Sequence, residues 1–202
     1  MDDEAHLEPA APLRADARRN HDALVAAAAE VFADLGVDVP TKAIADKAGV
    51  GVGTVYRRFP KRSDLVVAVF RHEVERCAAA AQDLAARYPP FEALARWIDC
   101  FLDLVVTKRG LAAALQSEAP AYADLRGFFE DRLVPPLQGL MAAALGERSA
   151  DISGQEMWRA IALLCAPATS DDFARTRRMV ALLINGLRVD GADSPRTESI
   201  DS

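Results

Sequence analysis

The chain has 202 residues, 51% of them hydrophobic and 27% charged, with 24 Lys and Arg against 30 Asp and Glu for a formal net charge of −6. No stretch approaches the roughly 20 apolar residues of a membrane span, and Met1–Pro12 is acidic and proline-containing, unlike an export signal, so a cytoplasmic protein is expected. The three histidines (His6, His21, His72) and three cysteines (Cys77, Cys100, Cys165) form no metal-ligand or nucleophile spacing, and no glycine-rich nucleotide loop occurs, so neither a metal, a cofactor nor an enzymatic activity is expected.

Alanine and leucine dominate, and prolines punctuate apolar-periodic segments, which predicts an all-α fold. Residues 1–13 and 191–202 are polar and acidic and are expected to be disordered tails. Leu24, Ala27, Ala28, Val31, Phe32 and Leu35 recur at helical spacing and predict a first helix over about 18–35, closed by Gly36. A second, of barely two turns, follows, with Thr41 as its N-cap, Ile44, Ala45 and Ala48 inward and Gly49 as its stop. A third fits 53–59 with Val52, Val55 and Phe59 on one face, ended by Pro60. Ser63 then caps a long helix from Asp64 to about Arg87, with Leu65, Val69, Val74 and Ala78 inward. Beyond the Tyr88-Pro89-Pro90 break, helices are expected near 91–107, 110–117, 121–145, 153–166 and 170–189. Pro135-Pro136 should kink or split the third of these, since neither can donate a backbone bond. The cysteines fall in apolar helical patterns and are expected to be buried, reduced thiols.

Charge is unevenly placed. Residues 14–62 hold nine Lys and Arg against six Asp and Glu, a net of +3, which leaves −6 − 3 = −9 for the remainder. The positive charge gathers in "AGVGVGTVYRRFPKR", residues 48–62. A short helix, a tight turn at Gly49 and a second short helix have the spacing of a helix-turn-helix. In that motif the second helix enters the major groove and its first residues meet base edges. Here those are Val52, Gly53 and Thr54, small enough for close approach, with Val52 offering a methyl contact to thymine. Tyr56, Arg57 and Arg58 follow on or beside the outer face, and Lys61 and Arg62 continue past it toward a phosphate backbone. Tyr56 has two readings open: its ring packs on a neighbouring helix, or its hydroxyl donates to a phosphate.

The run "TKAIADKAGVGVGTVYRRFPKRSDLVVAVF", residues 41–70, resembles the DNA-binding domain of the TetR (tetracycline-repressor-like) family of transcriptional regulators. The resemblance rests on Thr-x-x-Ile-Ala, Ala-Gly-Val at the turn, Gly-Thr-hydrophobic-Tyr, and a Phe followed by a basic residue before Leu. With the first helix it covers about 18–70. It implies that Thr41 and Lys42 contact backbone or groove, that Val52, Gly53, Thr54 and Arg57 face the bases, and that Tyr56 binds phosphate. Arg62 stands where the family commonly has lysine, and it is expected to hold phosphate in its place.

The resemblance further implies a three-helix DNA-binding head, 14–62, on a helical domain, 63–190, that dimerises and binds a small molecule. Leu94, Trp97, Ile98, Phe101, Leu102 and Val105 form a wide apolar face, and Phe128, Phe129 and Leu133 precede the proline pair; these supply candidate pocket residues, with core filling as the other reading. Apolar linings suit an aromatic or lipophilic effector. Stripes at Trp158, Ile161, Ala162 and Cys165 and at Phe173, Met179, Leu182, Leu183 and Leu187 match the helices that build the family's dimer interface, or else are buried within one chain. The resulting expectation is a homodimeric regulator that reads a palindromic operator in double-stranded DNA, a repressor released by its effector. The alternatives are a constitutive DNA-binding regulator without an effector and a helical enzyme.

Overall fold

The computed structural model describes residues 10–106, 125–165 and 173–188. These form α1 (Ala10–Leu35), α2 (Thr41–Ala48), α3 (Val52–Arg58), α4 (Arg62–Arg87), α5 (Pro90–Val106), α6 (Leu125–Leu145), a 3-10 segment (Gly146–Ala150), α7 (Gly154–Cys165) and α8 (Phe173–Gly186). There is no strand among the described residues, and no described helix is long and apolar enough to cross a membrane. The helix expected near 110–117 lies outside the described residues, as do 1–9 and 191–202.

α1 starts at Ala10, earlier than the apolar stripe begins. Pro12 is its third residue, inside the first turn, where no N–H has an intrahelical acceptor. At the other end Gly36, at φ 82°, donates to Phe32 O over 3.0 Å and stops the helix. Leu24, Ala27, Ala28, Val31 and Phe32 are buried as the period predicts, but Leu35 is exposed, because it is the helix's last residue.

Two expected caps move. Pro40 is the N-cap of α2, extended at φ −61° and ψ 141°, and Thr41 is the first helical residue. The Pro40 carbonyl accepts the Ala43 N–H at 3.0 Å, and no side chain caps the turn. Ser63 likewise lies inside α4, which begins at Arg62. Asp64 serves the terminus instead: its N–H donates to Lys61 O at 3.1 Å, and its carboxylate accepts the Lys61 N–H at 3.4 Å. An acidic group in the first turn also suits the positive end of the helix dipole.

Pro135 and Pro136 sit inside a continuous α6 rather than splitting it. The carbonyls they deprive of a donor belong to Asp131 and Arg132, both exposed residues, so water can take the missing place.

The described residues form two compact units, those up to Ala78 with those from Asp103 to Leu133, and those of Ala79–Leu102 with those from Val134 onward. The first is built around Leu24, Phe32, Ile44, Val55, Leu65 and Val69, and it includes Phe70, whose ring stacks on Phe129 at 5.0 Å. In the second, Phe101 lies between Trp97 at 6.3 Å and Trp158 at 4.9 Å, with Leu137, Met141, Met157 and Ile161 buried. α7 is started by a reciprocal cap: Ser153 N–H donates to the Glu156 carboxylate at 2.8 Å, and Glu156 N–H to Ser153 Oγ at 3.2 Å. The Ser153 hydroxyl, donating to the same carboxylate at 2.6 Å, and then the Ser153 N–H hold the Glu156 carboxyl below its usual range. Gly154, buried, donates to Gln138 Oε1 of α6. Cys77 is buried, while Cys100 and Cys165 are half-buried, and none of the three is in a disulfide. Burial pushes the Cys165 thiol up to about 11.

Candidate nucleic-acid interface

α2 and α3 meet through small and buried groups. Ala45 has no exposed surface and no bulk to hold the helices apart, and Val55 and Phe59 fill the space behind α3. Gly49 makes the turn at φ 66° and ψ 29°, the left-handed region that glycine enters without strain. Val50 N–H then bonds back to Ala45 O at 3.0 Å, closing the helix end in the Schellman manner.

With Val55 and Phe59 turned inward, α3 presents Gly53, Tyr56, Arg57 and Arg58 to the outside, with Val52 and Thr54 half-buried beside them. A Cβ added at Gly53 would meet nothing within 4 Å, so no packing within the chain demands a glycine there. The open space lies outside the protein, where a close-fitting ligand would use it. Tyr56 is 56% exposed, which favours its outward reading over packing against a neighbour. Thr41 is half-buried and Lys42 exposed at the start of α2.

The cations of this region divide by their partners. Lys42 Nζ lies 2.7 Å from Asp46 one turn on, Lys47 Nζ lies 2.6 Å from Glu30 of α1, and Arg19 pairs with Asp16. Exposed pairs of this kind add little stability and are easily exchanged for another anion. At the end of α3 the pattern changes. Arg57 makes only a long contact to Thr54 Oγ1 at 3.4 Å, Arg58 Nε donates to His21 Nδ1 at 2.9 Å, and the Lys61 side chain is exposed. None of these three has a carboxylate partner among the described residues, so their charge is uncompensated at close range.

Arg62, expected at a phosphate, makes its bonds within the chain. Its Nε donates to Val37 O at 3.2 Å and its Nη2 to Val39 O at 2.6 Å, both carbonyls of the α1–α2 loop. The guanidinium also lies over the Phe32 ring, 5.0 Å from its centroid. Partial burial lowers its pKa, Asp38 and Tyr56 opposing. Arg62 therefore clamps the first turn of α4 to α1 and the loop, holding the helix pair in place from behind.

The comparisons with known proteins fit this geometry. Residues 24–69 match the model of the bacterial regulatory proteins of the tetR family. The chain is 37% identical to a TetR transcriptional regulator from Streptomyces coelicolor over 82% of this chain and 97% of that one, with a TM-score of 0.64. The chain belongs to the TetR family. A TetR regulatory protein from Mycobacterium vanbaalenii is similar too, at 34% identity over 88% of this chain and all of the other, TM-score 0.63. FadR from Bacillus subtilis, solved with stearoyl-CoA, shares the fold at 18% identity over 83% of this chain and 97% of its own, TM-score 0.52. A comparison with curated protein sequences finds no match.

The protein is thus a TetR-family transcriptional regulator, and the residues proposed for its regulatory part can be placed. Trp97, Phe101 and Leu102 belong to the second unit, and Val105, Phe128, Phe129 and Leu133 to the first. Trp97, Phe101, Leu102 and Leu133 are buried core, Val105 is half-buried, and Phe128 lies under the Arg71 guanidinium at 4.5 Å. Leu102 also borders a cleft of about 70 Å³ between α5 and α8, with Ile98, Val180 and the Asp99–Arg177 pair, 3.0 Å apart. That volume suits a few waters rather than an aromatic molecule.

Of the residues expected at a dimer interface, Trp158 and Ile161 are buried within the chain itself, which removes them from any outer surface. Cys165, Leu183 and Leu187 are half-buried, and Met179 is 43% exposed. Among the described residues, the large apolar side chains left in solvent on these helices are Leu163, at 74%, and Leu182, at 64%, with Met179. Leu163 stands off the Trp158–Ile161–Cys165 stripe, so apolar periodicity does not single it out. Its isolation on the polar side of the helix was the signal available.

Proposed function

We propose that this regulator binds double-stranded DNA through α2 and α3 and represses transcription from a palindromic operator as a homodimer. The carrying observation is the end of α3, where Arg57, Arg58 and Lys61 stand exposed without carboxylate partners among the described residues, on a chain of net charge −6. Val52, Gly53, Thr54 and Arg57 face the bases, Val52 through a thymine methyl, while Tyr56, Arg58, Lys61, Thr41 and Lys42 meet backbone. Dimerisation supplies the second head that a palindrome requires, about 34–36 Å from the first. The exposed Leu163, Met179 and Leu182 support α7 and α8 as the joining surface.

The test is selection of duplexes from a randomised pool by the full-length protein, then titration of the selected duplex at several salt concentrations. A palindromic site with a steep salt dependence is the expected result. Tyr56→Phe and Lys42→Ala should each weaken binding, the lysine change also reducing the slope of log K against log salt by about one. Failure to enrich any duplex would end the proposal.

An apolar effector that releases the DNA belongs to the same reading. Its support is the family fold, on which FadR carries stearoyl-CoA. A second reading, constitutive binding without an effector, is favoured by the closed packing of Trp97 and Phe101 and the small cleft beside Leu102. A thermal-shift screen separates them, since a ligand at 100 times its Kd adds about 2.7 kcal/mol.

A further inference from the structure

α1 and α3 enclose a cleft of about 260 Å³ lined by Asn20, His21, Leu24, Thr54, Arg57 and Arg58. One wall is a side-chain pair that spans 37 residues of sequence: Arg58 Nε donates to His21 Nδ1 at 2.9 Å. The imidazole also lies against Phe59, ring centroids 5.4 Å apart and planes 35° from parallel. An arginine can only donate, so Nδ1 must be the unprotonated nitrogen and His21 neutral, its proton on Nε2. The surroundings keep it so. Burial lowers the His21 pKa first and the Arg58 charge second, against Asp22, which raises it. Of the other charges near it, Arg18 stands one turn back on α1 and Arg57 lines the cleft from α3; among the described residues no carboxylate lines the cleft.

We infer that His21 is the positioning residue for Arg58 at the nucleic-acid face, holding the guanidinium by Nε so that its two Nη amino groups are presented to a DNA phosphate. This rests on the DNA-binding reading above. A guanidinium has five N–H donors, one on Nε and the rest on the Nη pair, so the bond to His21 leaves the end of the fork available. Arginine is long and rotamer-rich, and a free side chain must be ordered when it meets its ligand. Ordering it beforehand removes that cost from binding. The device works only while His21 is neutral. Protonation replaces the acceptor with a second donor and sets two cations against each other, so Arg58 is released as pH falls through the His21 pKa, below about 6.5.

The experiment uses the full chain and the duplex that it selects from a random pool. At about pH 7.5, where histidine is neutral, Arg58→Ala is expected to weaken binding and lower the salt slope by about one. His21→Ala should weaken binding by about threefold or more while leaving that slope at its wild-type value, because the phosphate contact survives but is no longer prearranged. The double variant should bind no worse than Arg58→Ala alone. His21→Asn, whose Oδ1 stands where Nδ1 stood, should restore affinity. The ratio of wild-type to Arg58→Ala affinity should fall as pH is lowered toward about 5.5, and the same ratio in a His21→Asn background should stay flat. In the free protein, Arg58→Ala should raise the His21 pKa measured by NMR.

Additive effects of the two alanine changes would overturn the inference, as would an unmoved His21 pKa. If Tyr56→Phe and Lys42→Ala weaken binding while His21→Ala does not, the positioning role falls and DNA binding stands. If no duplex is selected at all, both fall together.

Discussion

Replacing Arg62 separates two roles that the sequence alone runs together. As a phosphate ligand its loss would weaken DNA binding and leave the fold untouched; as a clamp its loss destabilises the head. The structure places three charge-assisted bonds on the Val37 and Val39 carbonyls and the guanidinium over Phe32. Bonds from a charged donor contribute about 1.5–3 kcal/mol when buried, and a partly exposed cation–π contact about 0.5–1 kcal/mol. Arg62 is only part-buried, and water can reach some of the freed carbonyl surface, so these figures must be discounted. A loss of about 2–3 kcal/mol for Arg62→Ala is what remains. For a chain of this size each kcal/mol moves the midpoint by about 2–4 °C, so the Tm should fall by roughly 4–12 °C. Arg62→Lys should recover part of this, since an ammonium keeps the charge but lacks the fork that bridges two carbonyls. Circular dichroism melts give the first number, and salt titration of the selected duplex gives the control. Under conditions where the variant is folded, its salt slope should match the wild type. An unchanged Tm together with a slope reduced by about one would refute the clamp and return Arg62 to the phosphate.

Other outcomes follow from single contacts. A Cβ at Gly154 would stand 3.0 Å from Gln138 Cβ and 3.2 Å from its Cα, so Gly154→Ala should cost about 1–3 kcal/mol in urea unfolding, and Gln138→Ala should not rescue it. Leu163→Lys with Leu182→Glu should give a folded monomer by light scattering, because both side chains lie in solvent in the single chain, whereas Ile161→Lys should misfold. The lowered His21 pKa means that the unfolded chain binds its proton first on acidification. Its contribution to stability is therefore present above about pH 6.5 and is lost as pH falls through the folded value, and melts of His21→Asn should lack that component.

The sequence by itself determined the helices that carry the head and the reversal of charge upon them. The 3.6-residue apolar period, Gly49 in its left-handed turn and Pro60 after Phe59 are local constraints, and each acts through backbone geometry that neighbours cannot override. The run 41–70 accordingly identified the family before any packing was known. Tertiary structure decided where side chains of one chemical type were directed. Arg58 and Arg62 are both arginines in one basic run, yet one reaches His21 across a cleft and the other reaches two carbonyls behind the motif. Their partners lie 37 and 23–25 residues away along the chain, a separation on which local periodicity is silent. The same holds in the body: helical spacing marks Trp158 and Ile161 as an apolar stripe, but a stripe buried against its own chain and one buried against a second copy have the same period. Only packing shows that Trp158 and Ile161 are consumed internally and that Leu163 and Leu182 are left outside.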